Sequence, residues 1–182
     1  MPTPRDVVAF WRAAGMDKWF RGGAAFDDEC RAHWQDAHFA ASRREYDGWM
    51  TDAEGALALV LLLDQIPRNI FRGSGHAYAT DPLARHYAAR AIDAGFDRKV
   101  DAGAEPALRF FFYLPFEHSE APADQDRAVG LFTALGDEQL LGYAIAHRDA
   151  IAKFGRFPHR NHALGRASTP DEQAWLDAGG GF

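Results

Sequence analysis

Thr51-Asp52-Ala53-Glu54-Gly55-Ala56-Leu57-Ala58-Leu59-Val60-Leu61-Leu62-Leu63 decides the fold class. The run from Ala56 to Leu63 is apolar without a break, and by periodicity alone it fits a buried strand as well as a buried helix. Two features favour the helix. Alanine and leucine are strong helix formers, and Thr51-Asp52-Ala53-Glu54 reads as a capping box that would open a helix just ahead of the run.

The segments on either side repeat the helical signal. Asp6 to Ala14 carries Val7, Val8, Phe10 and Trp11 and stops at Gly15. Phe26, Cys30, Trp34, Ala37 and Ala41 form a stripe at spacings of four and three, with Asp27, Asp28 and Glu29 expected in the first turn, where acids suit the helix dipole. Asp81-Pro82 opens a helix whose Leu83, Ala84, Tyr87, Ala88, Ala91 and Ile92 face inward up to Gly95. An aromatic segment runs from Glu105 to Tyr113. Helices are expected over Ala123–Leu135 and Glu138–Phe154, stopped by Gly136 and Gly155. Thr169-Pro170-Asp171-Glu172 combines an N-cap, a first-turn proline and a capping-box acid, and starts a last helix that runs to about Asp177. No alternating strand pattern of useful length occurs. The chain therefore reads as all-α: antiparallel helix pairs joined by tight turns, arranged as a compact bundle or a stacked superhelix. Residues 1–182 read as a single all-helical domain, with 179–182 a flexible glycine-rich tail onto which Phe182 offers an apolar anchor.

Composition narrows the function. A length of 182 residues can bury a real core, and the 47% hydrophobic and 25% charged content is that of an ordinary globular protein. A net charge of -6 argues against a nucleic-acid partner, since phosphate contacts need clustered Lys and Arg. Lys is nearly absent, so the positive charge is carried by Arg, the better residue for bidentate pairing with carboxylate or phosphate. Cys30 is the single cysteine, which excludes an internal disulfide and every multi-cysteine metal site. The longest apolar run is too short to span a bilayer, and the first residues carry no apolar signal region, so neither a membrane nor export is expected and the cytoplasm is the expected location.

The candidate chemistry lies in three segments that each turn at a proline. Ile66-Pro67-Arg68-Asn69 is followed after three residues by Gly73, and Pro158-His159-Arg160-Asn161 is followed after three by Gly165. Between them sits Leu114-Pro115-Phe116-Glu117-His118-Ser119-Glu120. A proline disfavours helix at the preceding residue, so each segment is expected to bend and expose polar side chains after the bend. Asp64, Gln65, Arg68 and Asn69 surround the first bend, His118 and Glu120 the second, and Arg156, His159, Arg160 and Asn161 the third. Two readings of these ten residues stand side by side. In one, Asp64, Glu117, Glu120 and Asp124 neutralise the arginines and hold short helices in register. In the other, the fork-shaped donors line a cleft for a small anionic or polar ligand.

Histidines add a second theme. His118 beside a carboxylate is a candidate for proton transfer, with a plain helix start as its alternative. His147 lies on the stripe Leu140, Ala144, His147, Ile151, Phe154 and so points inward, as a core histidine or as a group that orients a site residue. No His-Glu-x-x-His, P-loop, dinucleotide fingerprint or nucleophile elbow is present, so neither a metal nor a cofactor is expected.

Four ordered stretches carry a family resemblance: Leu61–Asn69, Ala77–Asp81, Tyr113–Phe116 with His118-Ser119-Glu120, and Phe154–Asn161. Together with Val7–Trp11, Lys18-Trp19-Phe20 and Leu164-Gly165-Arg166, they make the chain similar, almost end to end, to the bacterial "domain of unknown function 924" family. The resemblance implies a tetratricopeptide-like helical fold and no established activity. It leaves three functions open: an enzyme on a small anionic metabolite, a module that holds a peptide on a concave helical face, or a scaffold whose charged network only stabilises it. The sequence sets neither the reaction nor the oligomeric state.

Overall fold

The computed structural model describes residues 2–101 and 107–182. Every regular element among them is helical. The chain divides into two compact units, one of Met1–Arg72 with His76–Pro115, the other of Gly73–Gly75 with Phe116–Phe182. Glu105, the start of the expected aromatic segment, lies outside the described residues.

The first unit is built around the apolar run. Helix α1 spans Pro4–Arg21, α2 Gly23–Ser42, α3 Ala53–Val60, α4 Ile66–Ile70 and α5 Asp81–Asp93. Leu57 to Leu63 have no accessible surface at all. This stretch is a helix enclosed by helices: α1 and α5 pack on α3, and α2 packs on α4. The cap falls one residue later than the sequence pattern indicates, because Asp52, not Thr51, accepts from the Gly55 amide at 2.8 Å. Gly15 interrupts α1 at φ +69° and ψ 176°, where the sequence places the break, and the chain then resumes helix to Arg21. The second helix starts at Gly23, so Asp27 to Glu29 lie past its first turn; the stripe from Phe26 to Ala41 is buried as its spacing requires. Trp11 and Trp19 stack at 6.4 Å, and the Trp19 indole N–H donates to the Trp11 carbonyl at 2.6 Å.

Pro67 does not break the helix, contrary to the expectation from its sequence position. Gln65 and Ile66 keep right-handed helical dihedrals. The chain passes the proline by widening over Leu61–Gln65 into a π-turn, in which the Ile66 amide reaches back to the Leu61 carbonyl. A wider turn next to a residue without an N–H leaves carbonyls without main-chain donors. Side chains supply them, His38 and Thr80 from distant parts of the unit and Arg68 from one turn further along the chain. His38 Nδ1 donates to the Leu62 carbonyl at 2.8 Å, Thr80 Oγ1 to Leu63 at 2.5 Å, and Arg68 Nη1 to Asp64 at 2.6 Å.

In the second unit, α7 (Pro122–Leu135) and α8 (Glu138–Phe154) pack together across the Gly136-Asp137 turn. Gly136 and Gly155 end the two helices in the left-handed conformation, as the sequence indicates. The last helix, α9 (Pro170–Asp177), opens with the full capping box of Thr169 and Glu172. Ala150, Ile151 and Phe157 form a core cluster against which Trp175 packs. The short helix α6, Leu114–Glu117, contains the boundary between the units.

The Thr80 hydroxyl gives the π-turn a direct test. Thr80→Val keeps the shape and removes the donor, leaving the buried Leu63 carbonyl unsatisfied. Urea denaturation should show a loss of about 1–3 kcal/mol, whereas Thr80→Ser, which keeps the hydroxyl, should stay close to the parent.

Candidate functional site

The expected site residues fall in both units. In the first, Asp64 is fully buried, and Gln65 Nε2 donates to its Oδ2 at 2.6 Å. Arg68 sits between two carboxylates: its Nη1 and Nη2 donate to Asp81 at 2.8 and 2.9 Å, and Nη1 lies 3.3 Å from Asp64 Oδ1. Asn69 donates to the Gln65 carbonyl at 3.1 Å and accepts from Arg72, which grips Asp27 through two bonds of 2.7 and 2.8 Å. These groups stitch α2, α4 and α5 together.

The second unit repeats the device. Asn161 Oδ1 accepts from Arg166 at 2.9 Å, and Arg166 grips Glu120 through bonds of 2.8 and 3.0 Å. Glu120 also accepts the Phe157 amide at 2.8 Å, so it caps the third bend. Arg156 is held bidentately by Glu172 at 2.6 and 2.8 Å, and Asn161 Nδ2 donates to the same carboxylate at 3.2 Å. The Arg156 guanidinium and the Thr169 amide hold the Glu172 carboxyl far below the usual range, at about 2. Arg156 and Glu120, read from sequence as ligand groups, thus anchor the backbone around the bend. Arg160 is buried, with its guanidinium 4.6 Å from the Phe157 ring centre.

A different set of groups gathers around His147. Its imidazole is only 6% exposed, as the inward stripe on α8 predicts. Nδ1 lies 2.8 Å from the Tyr143 carbonyl and 3.4 Å from Glu117 Oε1. A carbonyl can only accept, so in the neutral ring Nδ1 carries the hydrogen and Nε2 the lone pair. The His118 ring centre is 6.4 Å away, and His159 and Arg160 are close enough to act on the imidazole electrostatically. Burial, reinforced by His118, His159 and Arg160, pushes the His147 pKa down to about 3. The bond from Nδ1 to the Tyr143 carbonyl works in the opposite direction. Gln125, itself buried, fixes the turn that carries Glu117 and His118: its Nε2 donates to the Glu117 and Ser119 carbonyls at 2.7 and 2.6 Å. Sequence reasoning found His118 and His159 and placed His147 inward. It read Glu117 as a partner for arginine and gave Gln125 no role, because neither pairing follows from local spacing.

Beside this cluster lies a cleft of about 420 Å³. His159, His162, Arg166, Ser168 and Gln173 supply its polar lining, and no Asp or Glu is among the lining residues. His159 belongs to both the cleft and the His147 cluster. Among the described residues, no three His, Cys, Asp or Glu side chains gather as a metal site. No helix there is long and apolar enough to cross a membrane.

The depressed pKa of His147 sets the sign of a pH effect. Between its ordinary value of 6.5 and about 3, the unfolded chain binds a proton that the folded chain does not. Stability therefore falls as pH drops below the ordinary value. Carboxylates contribute little between about pH 7.5 and 5, so the slope of unfolding free energy in that window should flatten in His147→Gln. In the parent protein, the NMR resonances of His147 should not titrate there.

Comparison with known proteins agrees with the architecture. No curated protein matches the chain. The solved structure of a protein of unknown function from Agrobacterium tumefaciens, ATU0120, is similar at 52% identity with a TM-score of 0.90, covering 96% of this chain and 97% of its own. The family model described as a bacterial protein of unknown function, DUF924, matches residues 7–180. The chain belongs to the bacterial DUF924 family.

Proposed function

We propose that the second unit binds a small anionic ligand in the cleft that His159 shares with the His147 cluster. The observation that carries this reading is the lining itself: two imidazoles, a guanidinium, a hydroxyl and an amide face the cleft, and no carboxylate does. An anion entering it meets imidazole, hydroxyl and amide groups, with no carboxylate in the lining itself and the Arg166 charge already paired with Glu120. His162 is exposed and His159 partly so, which leaves both within reach of a ligand. Arg166 contributes differently. Its bidentate hold on Glu120 keeps it rigid, so it shapes the wall of the cleft. The first unit's arginine cluster plays no part in this reading, because Arg68 and Arg72 each grip a carboxylate with two hydrogen bonds.

Inorganic phosphate is a suitable probe. Titrated into the protein at about neutral pH and followed by NMR, it should shift the His159 and His162 imidazole resonances along a saturable curve. The double variant His159→Ala/His162→Ala should bind about tenfold or more weakly, which is about 1.4 kcal/mol, with an unchanged melting temperature. Non-saturating shifts, or equal binding by the double variant, would remove this reading.

A further inference from the structure

The segment Gly179-Gly180-Gly181-Phe182 folds back over α9 and lays a ring on the histidine cluster. The Phe182 ring stacks on the His147 imidazole with 3.6 Å between centres and 19° between planes. His159 and Phe157 meet it edge-on at 5.6 and 6.1 Å, and Trp175 lies at 6.2 Å. Four aromatic side chains thus form a slot for a planar ring, and its floor is an imidazole held flat by the Tyr143 and Glu117 contacts of Nδ1.

The three glycines are what let the segment reach this slot. Gly179 and Gly181 take φ of +84° and +136°, conformations that residues with a Cβ rarely adopt. A Cβ on Gly180 would lie 2.3 Å from the Trp175 ring. Three consecutive glycines also lose the most backbone freedom on ordering, and Phe182 remains 50% exposed, so the ring is held in the slot by little. A close-fitting slot with a loosely held occupant is the arrangement of a displaceable strap.

We infer that this slot is the ring subsite of the anion cleft, that its ligand is a small aromatic or heteroaromatic anion, and that Phe182 occupies the slot until such a ring displaces it. The inference rests on the anion reading of the cleft for the charged half of the ligand. The ring half rests independently on the geometry around His147. His159 joins the two halves, since it lines the cleft and meets the Phe182 ring.

Phenyl phosphate, cyclohexyl phosphate and inorganic phosphate separate the two halves. A slot open about one-tenth of the time weakens a competing ring about tenfold. Phe182→Ala should therefore bind phenyl phosphate about tenfold more tightly than the parent does, and more tightly than it binds cyclohexyl phosphate. Inorganic phosphate should bind both proteins equally. The upfield ring-current shift of the His147 carbon-bound protons should vanish in Phe182→Ala and return when phenyl phosphate is added. Equal binding of the phenyl and cyclohexyl esters by Phe182→Ala, or no return of the shift, overturns the ring subsite even where inorganic phosphate still binds. A gain for phenyl phosphate without any binding of inorganic phosphate supports the ring subsite and counts against the anion reading of the cleft. Failure of all three probes overturns both.

Discussion

A buried helix that contains a proline must find hydrogen-bond donors outside itself, and the first unit is organised around that need. The segment from Ala53 to Ile70 is enclosed by α1, α2 and α5, so water cannot satisfy the carbonyls released at the π-turn. His38 from α2 and Thr80 at the start of α5 do so instead, and Arg68, one turn further along the same segment, reaches back to the Asp64 carbonyl. Each of these side chains is thereby fixed in position. His38 must present Nδ1–H to Leu62; burial lowers its pKa, while the bond to the Leu62 carbonyl works in the opposite direction. Arg68, drawn inward by the Asp64 carbonyl, brings its charge into the interior, where Asp64 and Asp81 compensate it.

The repeated Arg-Asn pattern is best understood as a stapling device. In each unit, the asparagine oxygen accepts from an arginine three or five residues later, and that arginine closes a two-bond grip on a carboxylate far away in sequence. A neighbouring arginine makes a second grip, Arg68 on Asp81 and Arg156 on Glu172. Bidentate pairs fix both distance and angle, and so hold short helical segments that bury too little apolar surface to orient themselves. The same grips draw most of these arginines away from any ligand. The anion cleft we propose therefore draws on the histidines of the second unit.

Much of the fold was legible because its signals are local. Alanine and leucine content marked the central helix, glycines marked the ends of α7 and α8, and Thr169 with Glu172 marked the start of α9. The inward position of His147 followed from spacing along one helix. The passage of helix through Pro67 was not legible, since it depends on donors 29 residues before Pro67, at His38, and 13 after it, at Thr80. The site was legible in part for the same reason. His118 and His159 were visible as residue types, but the Glu117–His147 contact spans 30 residues and no local pattern encodes it. The glycine triplet read as flexible on composition, but the place where Phe182 docks, on His147, follows from no local pattern.

The state of His147 ties the second unit's architecture to its chemistry. An imidazole that is buried, stacked and bonded through Nδ1 to a carbonyl stays neutral at pH 7 and presents Nε2 as an acceptor. It is therefore a poor proton acceptor and a good platform: flat, uncharged and rigid, with an apolar face well matched to another ring. His159 and His162 stand nearer the solvent, at the cleft. One region of the unit thus suits a neutral ring and the adjoining region an anionic group, and the division follows from how deeply each histidine is buried.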